Sequence, residues 1–320
     1  MKKETQRTNN PYKYSDSNKR YQTFDYWLRS LFGEKCAKIS LDAGFTCPNI
    51  DGTVSRGGCI YCSGGSSGAE CDGSLAEQYA RGREVMERKW GCRKFIPYLQ
   101  AHTNTYAPAD ELMRVYDEAS SLDGAVMLAV ATRADCLTDG AFEALARTAR
   151  KIPVMVELGL QTSNDDTAKK INRGHTFEDF KEGYYALRTA VPTAKIAVHL
   201  INGLPGESRD DMIKSAADVA ELAPDILKLH LLHVIKGTPL AAMWERGEYV
   251  PMEQSDYVSV VCDQLELLPP ECAIGRVTGD ARADELLAPL WCRRKTAVAN
   301  DIDKELFRRG TYQGISYMKK

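Results

Sequence analysis

Cys47-Pro48-Asn49-Ile50-Asp51-Gly52-Thr53-Val54-Ser55-Arg56-Gly57-Gly58-Cys59-Ile60-Tyr61-Cys62 is the stretch that decides this chain. Its cysteines form one close pair, Cys59 and Cys62, with a single partner, Cys47, separated by eleven residues. A closed tetrahedral zinc site takes four protein ligands, usually as two close pairs, and no His or Cys stands beside Cys47 at ligand spacing. Three thiolates on a four-iron, four-sulfur cluster instead leave one iron without a protein ligand and open to a cofactor. Soft thiolates suit iron and sulfide, and the glycines let the backbone fold tightly around so bulky a group.

Around this stretch the 320 residues are ordinary for a globular chain, with 43% hydrophobic and 27% charged. No apolar run approaches the roughly 20 residues that span a bilayer, and the start MKKETQRTNN has no signal-peptide core. Ten cysteines without such a signal point to a reducing, cytoplasmic setting and away from a membrane. Cys36, Cys71, Cys92, Cys136, Cys262, Cys272 and Cys292 are scattered and read as small buried hydrophobes. A second cluster on Cys262, Cys272 and Cys292 is the alternative, though it lacks a close pair. The net charge of −2 hides an asymmetry: residues 1–38 sum to +5, residues 291–320 to +5, and 39–290 to −12. The N-terminal stretch interleaves Tyr12, Tyr14, Tyr21, Phe24, Tyr26 and Trp27 with Lys13, Lys19, Arg20 and Arg29. It reads either as a grip for looped RNA or as a helix whose aromatics pack on the body.

Six apolar runs alternate with helical patterns. They are Ala37–Asp42, Lys94–Gln100, Ala125–Ala131, Pro153–Gly159, Lys195–Ile201 and Ile226–Leu232, each suited to a strand buried on both faces of a parallel sheet. Helices are expected over Ser74–Trp90, Pro108–Ser120, Thr138–Arg150, Thr176–Thr189 and Ser208–Leu222, three of them opening with a Ser/Thr and an acid three residues on. Repeated strand–helix order predicts right-handed parallel crossovers in an α/β fold.

The phrases Ser40-Leu41-Asp42-Ala43-Gly44-Phe45-Thr46-Cys47-Pro48-Asn49 and Gly57-Gly58-Cys59 resemble radical S-adenosylmethionine enzymes of the Elp3-like subgroup, and within it a stand-alone bacterial family linked to tRNA wobble-uridine modification. The long first gap departs from the usual Cys-x3-Cys-x2-Cys loop and fits that subgroup. The resemblance implies a partial (β/α)6 barrel with N- and C-terminal extensions. On that pattern, residues 1–36 form a basic aromatic extension, 37–240 the core, and 241–320 a helical extension packing on it. It implies a 4Fe-4S cluster on Cys47, Cys59 and Cys62, with S-adenosyl-L-methionine on the open iron. Cleavage of its sulfonium bond by one electron yields a 5′-deoxyadenosyl radical that abstracts hydrogen. The electron would come from a donor such as flavodoxin or ferredoxin.

Ligands of parallel α/β folds bind at the carboxyl ends of strands. There the resemblance marks Tyr61, the family's aromatic before the last cysteine. Thr103 and Asn104 stand where many members carry a Gly-Gly-Glu that is missing here. Glu157, a carboxylate in an apolar run, is expected on the ribose with Gln161 beside it. Arg173 in Asn172-Arg173-Gly174-His175 suits the methionine carboxylate, and Gly203 begins a turn that lets backbone approach the adenine. His230 and Lys236, near the barrel mouth, are candidates to touch substrate. The implied substrate is tRNA, with carboxymethylaminomethyl-uridine trimmed to aminomethyl-uridine. Two alternatives stand beside it: a radical enzyme on a small molecule, and a zinc-stabilised RNA-binding module.

Overall fold

The computed structural model describes residues 10–63, 71–279 and 281–318. Six strands form where the apolar runs lie: β1 (Cys36–Leu41), β2 (Lys94–Leu99), β3 (Leu128–Thr132), β4 (Val154–Gln161), β5 (Lys195–Asn202) and β6 (Ile226–Leu231). Three helices start on the reciprocal cap predicted for them: Ser74 with Glu77, Thr176 with Asp179, and Ser208 with Asp211. After the two-residue β7 (Val234–Ile235), helix Gln254–Leu267 leads to a short β8 (Ala273–Arg276). β8 pairs parallel with β6, so the sheet runs β1-β2-β3-β4-β5-β6-β8, all parallel. The result is a curled half-barrel of seven strands, one more than the six expected. Ala-Ile-Gly-Arg is too short and too mixed to stand out as an apolar run. β9 (Leu286–Ala288) pairs antiparallel with β7 in a separate two-stranded sheet. The stretch after residue 240 thus contributes a strand to the barrel as well as helices around it.

Strand alternation sorts the interior into layers. Outward-facing Ile39, Leu99, Val130, Val156, Val198 and Leu229 join the main core beneath the helices. Inward and lowest lie Cys36, Ile96, Ala129, Met155, Ala197, Ile226 and Ala273, an apolar layer against which helix Phe24–Phe32 lays Trp27 and Leu28. Burying each of those two side chains is worth about 2 kcal/mol, so the helix closes the barrel's lower end firmly. It packs on both β1 and β8, the sheet's two edges, and Ile274 donates its backbone N–H to the Gln22 carbonyl at 2.7 Å. Two residues higher on β1, β4, β5 and β6 the inward layer turns polar, with Lys38, Glu157, His199 and Lys228.

The N-terminal aromatics take the packing course. Tyr12, Tyr21 and Trp27 are buried, and the Tyr12 hydroxyl donates to the Pro270 carbonyl at 2.6 Å. Arg20 is buried, donates to the Thr311 carbonyl at 3.1 Å and lies over the Phe307 ring, while Lys19 pairs with Asp303. Lys2, Lys3 and Arg7 lie outside the described residues. Six of the seven scattered cysteines are buried and Cys71 is half-buried. Burial pushes the Cys262 thiol up to about 12 and that of Cys292 to about 11, inert values for core groups.

Candidate active site

A cavity of about 1330 Å³ fills the barrel above the apolar layer. At its upper end the cysteine loop follows β1. Gly57 and Gly58 take φ of +81° and +72°, conformations other residues rarely adopt, and they bring Cys59 and Cys62 back towards Cys47. All three cysteines and Tyr61 line the cavity; Cys59 is buried, Cys47 half-buried and Cys62 exposed. The loop is clamped from both sides. Ile60 donates to the Ile171 carbonyl at 3.1 Å and receives the Leu240 N–H at 2.9 Å. The Asn172 side chain, at φ +55°, donates to the Arg56 and Gly58 carbonyls at 3.1 and 2.8 Å, and Asn49 answers by donating to the Asn172 carbonyl. A Cβ on Gly174 would collide with Asn49, so the turn and the loop are fitted to each other.

That fit places Arg173. Its guanidinium is buried in the cavity wall, one Nη donating to the Gly159 carbonyl, while Nε has no partner. Arg133, paired with Asp135 at 2.7 Å, donates to the Arg173 carbonyl at 2.9 Å. Thr103 also lines the cavity with its buried Oγ1 unpartnered. Gln161 sits beside Arg173 at φ +79°, and a Cβ on Gly159 would stand 2.8 Å from its amide nitrogen. Other positions lie elsewhere. Asn104 is outside the cavity wall and donates to the Ala101 and Ala131 carbonyls at 2.7 and 3.0 Å. Gly203 is covered by Met252 and by Tyr249, whose hydroxyl reaches its carbonyl at 2.9 Å. Lys236 is exposed, outside the wall, with its N–H on the Glu285 carbonyl at 2.9 Å.

Glu157 stands one strand turn below the Arg173 level, its side chain fully buried. Lys38 of β1 holds one oxygen, and Lys228 of β6 holds the other together with His199 Nε2 at 3.1 Å. The sequence places this carboxylate with the cofactor ribose; in the barrel it lines the cavity among Lys38, Lys228 and His199. Tyr98 lies under the Lys38 ammonium, 3.5 Å from ring centre to nitrogen. Although burial raises a carboxyl, Lys228 and Lys38 outweigh it and hold Glu157 well below the usual range. Burial pulls Lys38 down to about 7 and His199 to about 4. His230, 5.1 Å from His199 between ring centres, faces the cavity with Nε2 unpartnered, and burial pushes it well below 6.5.

These partners were hidden for a physical reason. Lys38 carries the same signal as Glu157, a charge inside a buried strand, but its meaning appears only when β1, β4 and β6 are brought around one axis. Arg276 comes from the strand the sequence did not announce.

The donor set fits an iron–sulfur cluster. Among the described residues no three of His, Cys, Asp or Glu converge closely enough to share one metal ion. A four-iron cluster spreads its irons and takes each thiolate on a different one, which three cysteines around one cavity can supply. The unpartnered Arg173 Nε and Thr103 Oγ1 are buried polar atoms awaiting a ligand, as S-adenosylmethionine would provide. Among the described residues no helix is long and apolar enough to cross a membrane.

Comparison with known proteins places these features. Residues 52–219 match the model of the Radical SAM superfamily and residues 224–308 that of the Radical_SAM C-terminal domain. The chain is 44% identical to YtqA of Bacillus subtilis (strain 168) over 314 residues, covering 97% of both. It is 30% identical over 131 residues to the tRNA uridine(34) acetyltransferase of Methanocaldococcus jannaschii, covering 40% of this chain and 24% of that protein. Among solved structures it is similar to the archaeal Methanocaldococcus infernus Elp3 with an N-terminal deletion, at a TM-score of 0.65 and 19% identity. That match covers 87% of this chain and 64% of the other.

Proposed function

Because the chain belongs to the radical S-adenosylmethionine superfamily, whose members carry a 4Fe-4S cluster and S-adenosylmethionine, we propose that it modifies the wobble uridine of tRNA, trimming carboxymethylaminomethyl-uridine to aminomethyl-uridine. When bound, the cluster and cofactor supply a carbon radical able to take a hydrogen atom from an unactivated carbon. The protein's own share is binding, orientation and exclusion of water. Cys47, Cys59 and Cys62 would hold three irons, and exposed Cys62 offers the approach for a flavodoxin- or ferredoxin-like donor. Arg173 would pair with the cofactor carboxylate, supported by Thr103, Gln161 and Tyr61. His230 faces the remaining space, where substrate would lie. Lys236, Asn104 and Gly203 are not carried into this assignment, since none lines the cavity.

One observation carries the choice of substrate. Among the described residues the cavity wall holds nine Lys/Arg (Lys35, Lys38, Arg81, Arg133, Arg173, Lys228, Arg276, Arg282, Lys295) against Asp25 and Glu157. The exposed members gather by the sheet's two edges, where β1 and β8 leave the half-barrel open. There burial, with the nearby charges of Arg276 and Lys89, holds the Lys295 ammonium below its usual range. Exposed Trp90 has the Lys35 and Lys89 ammonium groups each 4.8 Å from its ring. Like charges facing one another around an exposed aromatic suit a polyanion with unstacked bases. The name of the archaeal relative, a tRNA uridine(34) enzyme, supports the same substrate.

The deciding experiment compares modified nucleosides in tRNA from a deletion strain and its parent. The expected result is accumulation of carboxymethylaminomethyl-uridine. Identical nucleoside profiles would refute the substrate. Trp90→Ala should weaken tRNA binding about tenfold, the effect of losing one stacked base, with S-adenosylmethionine cleavage unchanged.

A further inference from the structure

One buried side chain donates directly to a cysteine of the loop. The Asn49 amide nitrogen lies 3.6 Å from Cys59 Sγ, within reach of an N–H···S hydrogen bond. Asn49 is 1% exposed and Cys59 8%, so water does not replace that donor. The chain brings the two together locally. Pro48 and Asn49 lie in the single helical turn Pro48–Asp51 after Cys47, and the Gly58 N–H donates to the Asn49 carbonyl at 2.8 Å.

Hydrogen-bond chemistry fixes which way the amide points. The same nitrogen donates to the Asn172 carbonyl, and a carbonyl can only accept, so the NH2 end must face it. One of its two hydrogens serves Asn172 and the other is left for Cys59. The Asn49 oxygen lies against Gly174, where a Cβ would come within 2.4 Å, and is buried without a partner. Turning the amide over would set an acceptor against both the carbonyl and the thiolate. An orientation that leaves a buried oxygen unsatisfied calls for a reason, and the sulfur supplies one.

We propose that Asn49 tunes the iron–sulfur cluster: its N–H on the Cys59 thiolate stabilises the added electron and makes the cluster easier to reduce. Hydrogen bonds to the sulfurs are among the features that set the potential of such clusters. Reduction adds one negative charge, shared with the thiolates, and a donor bond to an anion strengthens as that charge grows. The step is a one-electron reduction by the flavodoxin- or ferredoxin-like donor, with no bond made or broken in the protein. Asn49 acts through Cys59 and is not itself a ligand. The inference rests on Cys59 holding an iron and is independent of the substrate.

The test uses the anaerobic, cluster-loaded enzyme without S-adenosylmethionine, reduced by dithionite. With asparagine labelled by nitrogen-15 at its side-chain amide, pulsed EPR should show nitrogen hyperfine coupling to the reduced cluster. No coupling in the parent protein overturns the proposal, however the variants fold. Asn49→Leu keeps the size and removes the donor. It should lose the coupling and lower the ratio of reduced to oxidised cluster at a fixed potential about tenfold, a midpoint about 59 mV lower. Asn49→Ala should fall alike, which excludes a packing effect of the leucine. Asn172→Ala loosens the same loop at the Arg56 and Gly58 carbonyls but leaves Asn49 on the sulfur, so its midpoint should match the parent's. A parental midpoint in Asn49→Leu, or an equal fall in Asn172→Ala, would reduce Asn49 to a brace of the loop. Cys59→Ala tells the two readings apart. Full iron in that variant removes Cys59 as a ligand and this bond with it, whereas lost iron there, with no nitrogen coupling in the parent, removes the bond alone.

Discussion

The two ends of the cavity are built on opposite principles. At the mouth, polar groups are positioned and left wanting: Arg173 Nε and Thr103 Oγ1 are buried without partners. At the floor, every oxygen of Glu157 is taken by Lys38, Lys228 or His199. The mouth gets its rigidity from backbone clamps, the floor from mutual charge. Unpaired groups imply a resident cofactor supplying the missing bonds, whereas a self-satisfied network can persist between turnovers. Loss of a single residue should therefore empty the mouth but unfold the floor.

The largest effect tests the mouth. Cys59→Ala should lose the brown cluster and all cofactor cleavage, while Cys71→Ala keeps both, as iron and sulfide analysis would report. Iron loss in Cys71→Ala would move a ligand out of the loop.

At the floor, Lys228→Met leaves Glu157 with one ammonium fewer in a buried site. It should cost about 3 kcal/mol in chemical denaturation while iron content on reconstitution stays normal. A variant of parental stability would show that the network is not structural.

Arg173→Lys returns to the mouth. A lysine cannot offer the fork, so S-adenosylmethionine should bind about tenfold or more weakly, with denaturation midpoints nearly unmoved. Equal affinity would remove Arg173 from the cofactor.

The smallest effect is a slope. His199 has a folded pKa of about 4 against an ordinary 6.5, because burial and Lys228 disfavour its charged form. Between those values the unfolded chain binds the extra proton, so stability falls as pH drops from about 6.5 to 4. His199→Gln should flatten the decline by about 1 kcal/mol per pH unit. An unchanged slope would mean the ring is protonated in the folded protein.

The same contrast explains what could be read in advance. The mouth is local: Cys47 to Cys62 and Asn172 to Gly174 are short phrases whose residues act near where they stand in the chain. The reciprocal caps at Ser74, Thr176 and Ser208 were legible for the same reason. The floor is assembled from Lys38, Glu157, His199 and Lys228, each from a different strand, so only Glu157 stood out in the sequence. β8 escaped because a four-residue strand carries no periodicity. The aromatic N-terminus was ambiguous until Tyr12 and Arg20 were found packed on the C-terminal segment, which no pattern within residues 10–30 could reveal.

The pleat of the barrel also makes a ruler. Lys228 and His230 lie on one face of β6, and two residues of strand separate such levels by roughly 6.6 Å. A ligand that touches both levels must therefore be at least that long, so the cavity sorts what enters it by length before it sorts by charge.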